Sequence, residues 1–213
     1  MKFKYLTIVI SLIGTINCLG QSTGALKLKG EYSAADSAQI TESYYRAHEA
    51  AHNLLEVADR IWNVNPDKGQ SKRELRKLNW EKEEEFSYWL GEPVKIAMVR
   101  RVIRRIHKKF RRNIILIASR EDRGVCNRWT GAWAIPLGKI RIRLCENFFN
   151  STHLQEKIIL HELGHEAGML WHRGIHNCFT ASREAQSGNQ KVKRSPENYA
   201  WLAMSYLGLQ CSY

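Results

Sequence analysis

The 213-residue chain carries 33 Lys and Arg against 21 Asp and Glu, a formal charge of +12, with 44% hydrophobic residues, seven Trp and four Pro. That apolar fraction excludes a disordered chain, and so little Pro excludes a collagenous or Pro-rich one. The size is that of one domain around one core.

Residues 1–5 carry Lys2 and Lys4, residues 6–16 carry no charge, and Cys18-Leu19-Gly20 ends the segment in small residues. Residues 1–20 are therefore expected to be a secretory signal peptide cleaved after Gly20, too short an apolar run for the roughly 20 residues of a membrane span. The mature protein is expected to be extracellular, with no stable membrane association. Removing Cys18 leaves Cys126, Cys145, Cys178 and Cys211, and two disulfides are expected in an oxidising compartment. Of three connectivities, Cys126 with Cys145 and Cys178 with Cys211 is preferred because the first pair brackets a hairpin-like stretch. No C-x-x-C spacing supports a zinc site built on cysteines. Asn150-Ser151-Thr152 is a glycosylation sequon.

Residues 21–35 are small and polar and read as a flexible leader, with residues 36–213 as one domain. Over 37–62 the apolar residues Tyr44, Ala47, Ala51, Leu54, Leu55, Ala58 and Ile61 fall on one helical face. Asn65-Pro66-Asp67-Lys68-Gly69 is turn chemistry, and 70–85 is a polar, highly charged stretch. An aromatic cluster at 86–91 ends at Gly91 and Pro93. A second helix is expected over 94–112, with Val99, Val102, Ile103, Ile106 and Phe110 inward. Its other face holds Arg100, Arg101, Arg104, Arg105, Lys108, Lys109, Arg111 and Arg112; opposite so regular an apolar stripe, it reads as a solvated face, and no nucleic-acid partner is expected. Residues 114–118 suit a buried strand, and 139–144 alternate as a half-exposed strand and a plausible cleft edge. Helical patterns return at 153–168 and 196–207. Helices, short strands and helices in that order define an α+β class.

The motif H-E-x-x-H occurs twice, as His48-Glu49-Ala50-Ala51-His52 and as His161-Glu162-Leu163-Gly164-His165. Imidazoles four residues apart share a helix face and can hold one Zn²⁺, and the Glu between reaches a metal-bound water as base. The first copy shares its helix with Glu56 and Asp59 and has no break after it to return a third ligand; it reads as structural. The second follows Ile158-Ile159-Leu160, which buries it, and precedes Gly168, where a helix can stop and the chain reverse toward His172 and His176.

Residues 142–149 (I-R-L-C-E-N-F-F), 158–165 (I-I-L-H-E-L-G-H), 196–200 (P-E-N-Y-A) and 86–91 (F-S-Y-W-L-G) together resemble the aspzincins, the deuterolysin and lysine-specific metalloendopeptidase family of secreted zinc proteases. The resemblance spans roughly residues 40–208, and the Cys126 to Cys145 spacing looks like the family's disulfide loop. It implies a zincin-like fold, helix-rich with a small mixed sheet and an H-E-x-x-H active-site helix, one Zn²⁺ per chain, and a protein or peptide substrate. The family takes its third ligand from an Asp nine to eleven residues past the second His, followed by a Tyr. Residues 166–183 contain neither Asp nor Tyr. His176 stands at the corresponding place, so the expected ligands are His161, His165 and His176, with Glu162 as general base; His172 and Glu184 are the alternative third ligands. The oxyanion donor is expected to be whichever of His172 and His176 does not ligate, or Arg173. The chain is expected to be a monomeric secreted endopeptidase, the alternative being a zincin-fold secreted effector or binding protein with weak or no catalysis.

Overall fold

The computed structural model describes residues 24–119, 126, 131–135, 139–151, 154–169, 177–209 and 211; the expected signal peptide lies outside them. The segment read as a flexible leader contributes a strand, β1 (Leu26–Lys29), because Leu26 and Leu28 turn inward while Lys27 and Lys29 stay exposed. Helix α1 (Ala34–Trp62) starts three residues before its apolar periodicity does, since Ser33 and Asp36 cap each other's backbone N–H groups at 3.0 and 3.1 Å.

The charged stretch after it is also helical, as α2 (Lys72–Lys82), and is anchored by one side chain. Trp80 is fully buried and its indole N–H donates to the Gly91 carbonyl at 3.0 Å. Arg76 holds the other side, donating to the Trp62 carbonyl at 2.9 Å with its guanidinium 3.6 Å from the Trp62 ring. The aromatic cluster forms α3 (Glu84–Leu90), ended by Gly91 at φ +67°. α4 (Ile96–Phe110) buries Val99, Val102, Ile103, Ile106 and Phe110, the stripe read from the sequence.

Strands β2 (Ile114–Ala118), β3 (Ala132–Ile135) and β4 (Ile140–Leu144) complete a mixed sheet in the order β1-β2-β4-β3. The first three in that order run parallel, and β3 runs antiparallel to β4 at the edge. The stretch expected to form a cleft edge is therefore interior: β4 is paired on both sides, and the edge belongs to β3. Leu116, Ile142 and Leu144 turn one sheet face into the core, while Lys27, Arg141 and Trp133 stand on the other. After β4 come α5 (Glu146–Asn150), α6 (Gln155–Glu166), α7 (Cys178–Gln186), a 3₁₀ turn (Gln190–Arg194) and α8 (Pro196–Ser205). α1, α4, α6 and α8 pack on one another, with Tyr44, Leu54, Ile103, Phe110 and Tyr199 at most 1% exposed between them.

The architecture is α+β, helix-rich with a small mixed sheet. Both expected disulfides are present, with Cα atoms 5.3 Å apart for Cys126–Cys145 and 5.9 Å for Cys178–Cys211. Among the described residues no helix is long and apolar enough to cross a membrane.

Candidate metal centre

The second H-E-x-x-H lies on α6, which is wrapped by α1, α8 and β3. Two glycines shape its surroundings. A Cβ on Gly164 would stand 2.7 Å from Met169 Cε and 2.7 Å from Pro196 Cβ, so only glycine lets the start of α8 lie this close to α6. Gly168, at φ +93°, ends the helix. Its N–H donates to the His165 carbonyl at 2.9 Å and the next N–H, of Met169, to the Gly164 carbonyl at 3.1 Å, the paired closure of a Schellman turn.

Each glycine thereby sets one histidine. The Schellman turn brings the Met169 carbonyl to 2.8 Å from His165 Nδ1. The close approach of α8 brings Glu197 Oε2 to 2.7 Å from His161 Nδ1. With each Nδ1–H donated to an oxygen, Nε2 is the nitrogen that each ring offers to a metal. The two rings lie 4.9 Å apart, inclined at 76°.

Glu197 is 1% exposed yet fully satisfied: Lys157 Nζ lies 2.7 Å and Trp201 Nε1 2.9 Å from its Oε1. Burial alone would raise its carboxyl, but the Lys157 charge and the His161 hydrogen bond outweigh that and hold it at about 2. Glu162 behaves oppositely. Burial pushes it up to about 7 against the opposing pull of His161, the Ala134 N–H and Lys157. Its Oε2 accepts from Ala134 N at 2.7 Å, which ties the carboxylate to β3. That N–H points off the sheet edge, since the neighbouring ladder bond, Cys145 N to Gly131 O at 2.9 Å, belongs to the alternate residues of β3.

The sequence reading assigned no role to Glu197, although residues 196–200 were singled out. The helix they open is a hub: Asn198 Nδ2 donates to the Trp89 and Ala181 carbonyls at 2.7 and 2.9 Å, and Tyr199 Oη to the Lys193 carbonyl at 3.1 Å. A Glu beside Pro at the first turn of an apolar helix was the available signal.

Of the expected ligands, His161 and His165 are brought together with Glu162, whereas His176, His172 and Arg173 lie outside the described residues. Glu184 sits on α7, where its Oε2 accepts from Asn189 Nδ2 at 2.7 Å. Among the described residues no three His, Cys, Asp or Glu side chains group as a ligand set.

The first H-E-x-x-H is built differently. His107 of α4 lies against both of its imidazoles, with ring centroids 5.5 Å from His48 and 5.6 Å from His52, and Glu49 is exposed. The Nε2 atoms of all three rings are buried without a hydrogen bond. His52 Nε2 is 3.3 Å from Glu56 Oε1, within ion-pair range but out of line for a hydrogen bond. Burial first, then the neighbouring imidazoles and Arg111, lower His107 to about 4; burial and His52 lower His48 as well. Compared with protein-family models, with curated proteins and with solved structures, the chain matches none.

Proposed function

We propose that the protein is a secreted, zinc-dependent endopeptidase of zincin-like fold, related to the aspzincins, with Glu162 as general base. One observation carries the reading: both histidines of the α6 motif have Nδ1 fixed by a buried oxygen acceptor, with a buried, separately held carboxylate between them. Carboxylate or carbonyl partners on Nδ1 are how proteins orient imidazole ligands and raise their basicity. Core histidines need no such double arrangement, as His48 and His52 packed against His107 illustrate.

His161 and His165 would supply two ligands, and the third would come from the segment after Gly168, with His176 our assignment. When bound, zinc acidifies a water and polarises a peptide carbonyl. Glu162, held by the Ala134 N–H, would serve as the general base toward the attacking water and as the proton donor to the leaving amine. Because Glu162 occupies the Ala134 N–H, an extended substrate backbone would add as a further strand along the rest of the outer β3 edge. A ligand set of three histidines is more positive than one containing Asp, which favours an acidic bound water and slow release of a carboxylate product.

The test is zinc analysis of the purified protein with a protease assay on an unfolded substrate. We expect one zinc per chain, retained in a His48→Gln/His52→Gln variant, and turnover lowered about 10²–10⁴-fold in Glu162→Ala with zinc retained. Zinc without turnover would favour the catalytically inactive, binding-protein alternative, which the lack of Asp and Tyr over 166–183 motivates. A protein that binds no zinc sinks both.

A further inference from the structure

We propose that the outer face of α4 is a docking surface for acidic segments of polypeptide. Its value to catalysis rests on the protease reading above; its binding does not. Arg101, Arg104, Arg105 and Lys108 are exposed on α4, where the buried stripe opposite fixes them outward, and Arg111 and Arg112, just past its end, are exposed too. Two neighbouring cations are neutralised, Arg100 by Asp59 at 2.6 Å and Lys109 by Glu166 at 3.7 Å. Arg104 reaches Asp59 only at 4.0 Å, and among the described residues the other five have no acidic group within that distance.

On α4 itself Arg101, Arg104, Arg105 and Lys108 stand three and four residues apart, so each faces one or more like charges, an arrangement that opposes helix formation, and Arg111 and Arg112 follow directly after the helix end. A solvated face needs no such conflict. α2 is equally polar but intersperses Glu74 and Glu81 among its cations. Local choices that oppose the fold mark function more often than accident, and an acidic partner would remove this one.

The chemistry narrows the partner. Among the described residues the large exposed apolar side chains are Tyr45, Leu78, Tyr88, Trp133 and Phe179, none of them on α4, so α4 itself offers nothing to insert into a bilayer and no aromatic on which to stack bases. The charges on α4, from Arg101 to Lys108, form tiers one helical turn, about 5.4 Å, apart over about 10 Å. An extended chain presents alternate side chains about 6.6 Å apart, so carboxylates at every second residue can follow those tiers. The face also adjoins the candidate centre. Lys109 pairs with the last residue of α6, and Arg105 Nη1 lies 4.0 Å from where a Cβ on Gly168 would stand.

The experiment measures fluorescence anisotropy of a labelled oligo-glutamate of about twelve residues with the full chain carrying Glu162→Gln, so that turnover is not needed. We expect binding, none for oligo-glutamine, and weakening of about tenfold or more between roughly 50 and 200 mM salt. The variant Arg101→Gln/Arg105→Gln/Lys108→Gln/Arg112→Gln should lose about tenfold or more in affinity while its thermal midpoint stays level or rises, because like-charge pairs are removed. Equal binding by parent and variant overturns the proposal. So does an oligo-glutamate that fails to bind while an oligonucleotide, an acidic polysaccharide or phosphatidylserine vesicles bind through these residues. If the peptide binds as expected but the zinc-loaded parent cleaves nothing, the protease reading fails and the docking surface stands.

Discussion

Glu197 and His107 are both buried titratable residues facing a histidine of an H-E-x-x-H motif, and they do opposite things. Glu197 accepts from His161 Nδ1 and is itself held by Lys157 and Trp201. Glu197→Gln should therefore weaken zinc binding about 10–100-fold, read by competition with a chelator. The same change leaves Lys157 without its counter-charge, so Glu197→Gln/Lys157→Met separates the metal effect from lost stability: affinity stays low while the melting temperature recovers. An unchanged zinc affinity in both variants would remove Glu197 from the centre.

His107 contributes through the protons it does not bind. Its folded pKa of about 4 lies below the ordinary 6.5, so as pH falls from 6.5 to 4 the unfolded chain takes up a proton that the folded chain refuses. Stability is thus complete above pH 6.5 and is lost on acidification through that window, by about 3 kcal/mol from this residue. Around it stand His48, His52 and Arg111, with the Glu56 carboxylate facing His52. Urea unfolding at pH 7 and pH 4.5 should show a smaller acid loss in His107→Phe than in the parent; an identical loss means other groups govern the acid limit.

At the scale of elements, α6 depends on two glycines, Gly164 letting α8 approach and Gly168 turning the chain at the helix end. Gly164→Ala drives a methyl into Met169 and Pro196, so we expect about 1–3 kcal/mol of destabilisation together with weaker zinc binding, as α8 and Glu197 are displaced. Gly188→Ala is the control. That residue also has positive φ, +77°, but nothing lies within 4 Å of its added Cβ, so about 1 kcal/mol of backbone strain is expected and no change in zinc affinity. Equal effects in calorimetry and metal titration would reduce Gly164 to an ordinary helix residue.

The elements also show what the sequence made legible. α4 and β4 were readable because their apolar residues repeat with a regular period, β2 because it is an unbroken apolar run, and the end of α6 because Gly168 supplies a chemical stop. α2 was hidden because Trp80 alone anchors it, and one residue has no period. β3 was hidden because its inward residues, Ala132 and Ala134, carry so little apolar weight. In the candidate centre, spacing within one helix gave His161, Glu162 and His165. Glu197 was out of reach of that logic, since its relation to His161 depends on how closely two helices pack.

For the whole molecule, the disulfides divide their labour. Cys126–Cys145 ties the chain before β3 to the residue that starts α5, and Cys178–Cys211 closes α7, the 3₁₀ turn and α8 into one loop with a sequence separation of 33. Cys178→Ser/Cys211→Ser should cost about 3–4 kcal/mol in denaturant unfolding. The intact parent should show a mass about four hydrogens below the thiol form, two per disulfide. Four titratable thiols in the non-reduced protein would contradict the arrangement.

The pairing of β1 with β2 bears on how the chain is made. Leu26 stands opposite Ile114, and Ala25 N donates to Asn113 Oδ1 across 88 residues at 3.1 Å. Parallel strands joined over such a separation form late, since the entropy of closing the loop must be met before the ladder rewards it. At synthesis rates of roughly 5–20 residues per second, β1 exists for several seconds before its partner strand has been assembled. α4 ends at Phe110, just before β2 begins, so α1 and α4 pair through Tyr44, Phe110 and the stacked imidazoles as a helical nucleus only as β2 itself appears. Amide exchange during refolding should accordingly protect α1 and α4 first and β1 last, leaving the Leu26 and Leu28 strand as the part of the young chain that another polypeptide can capture.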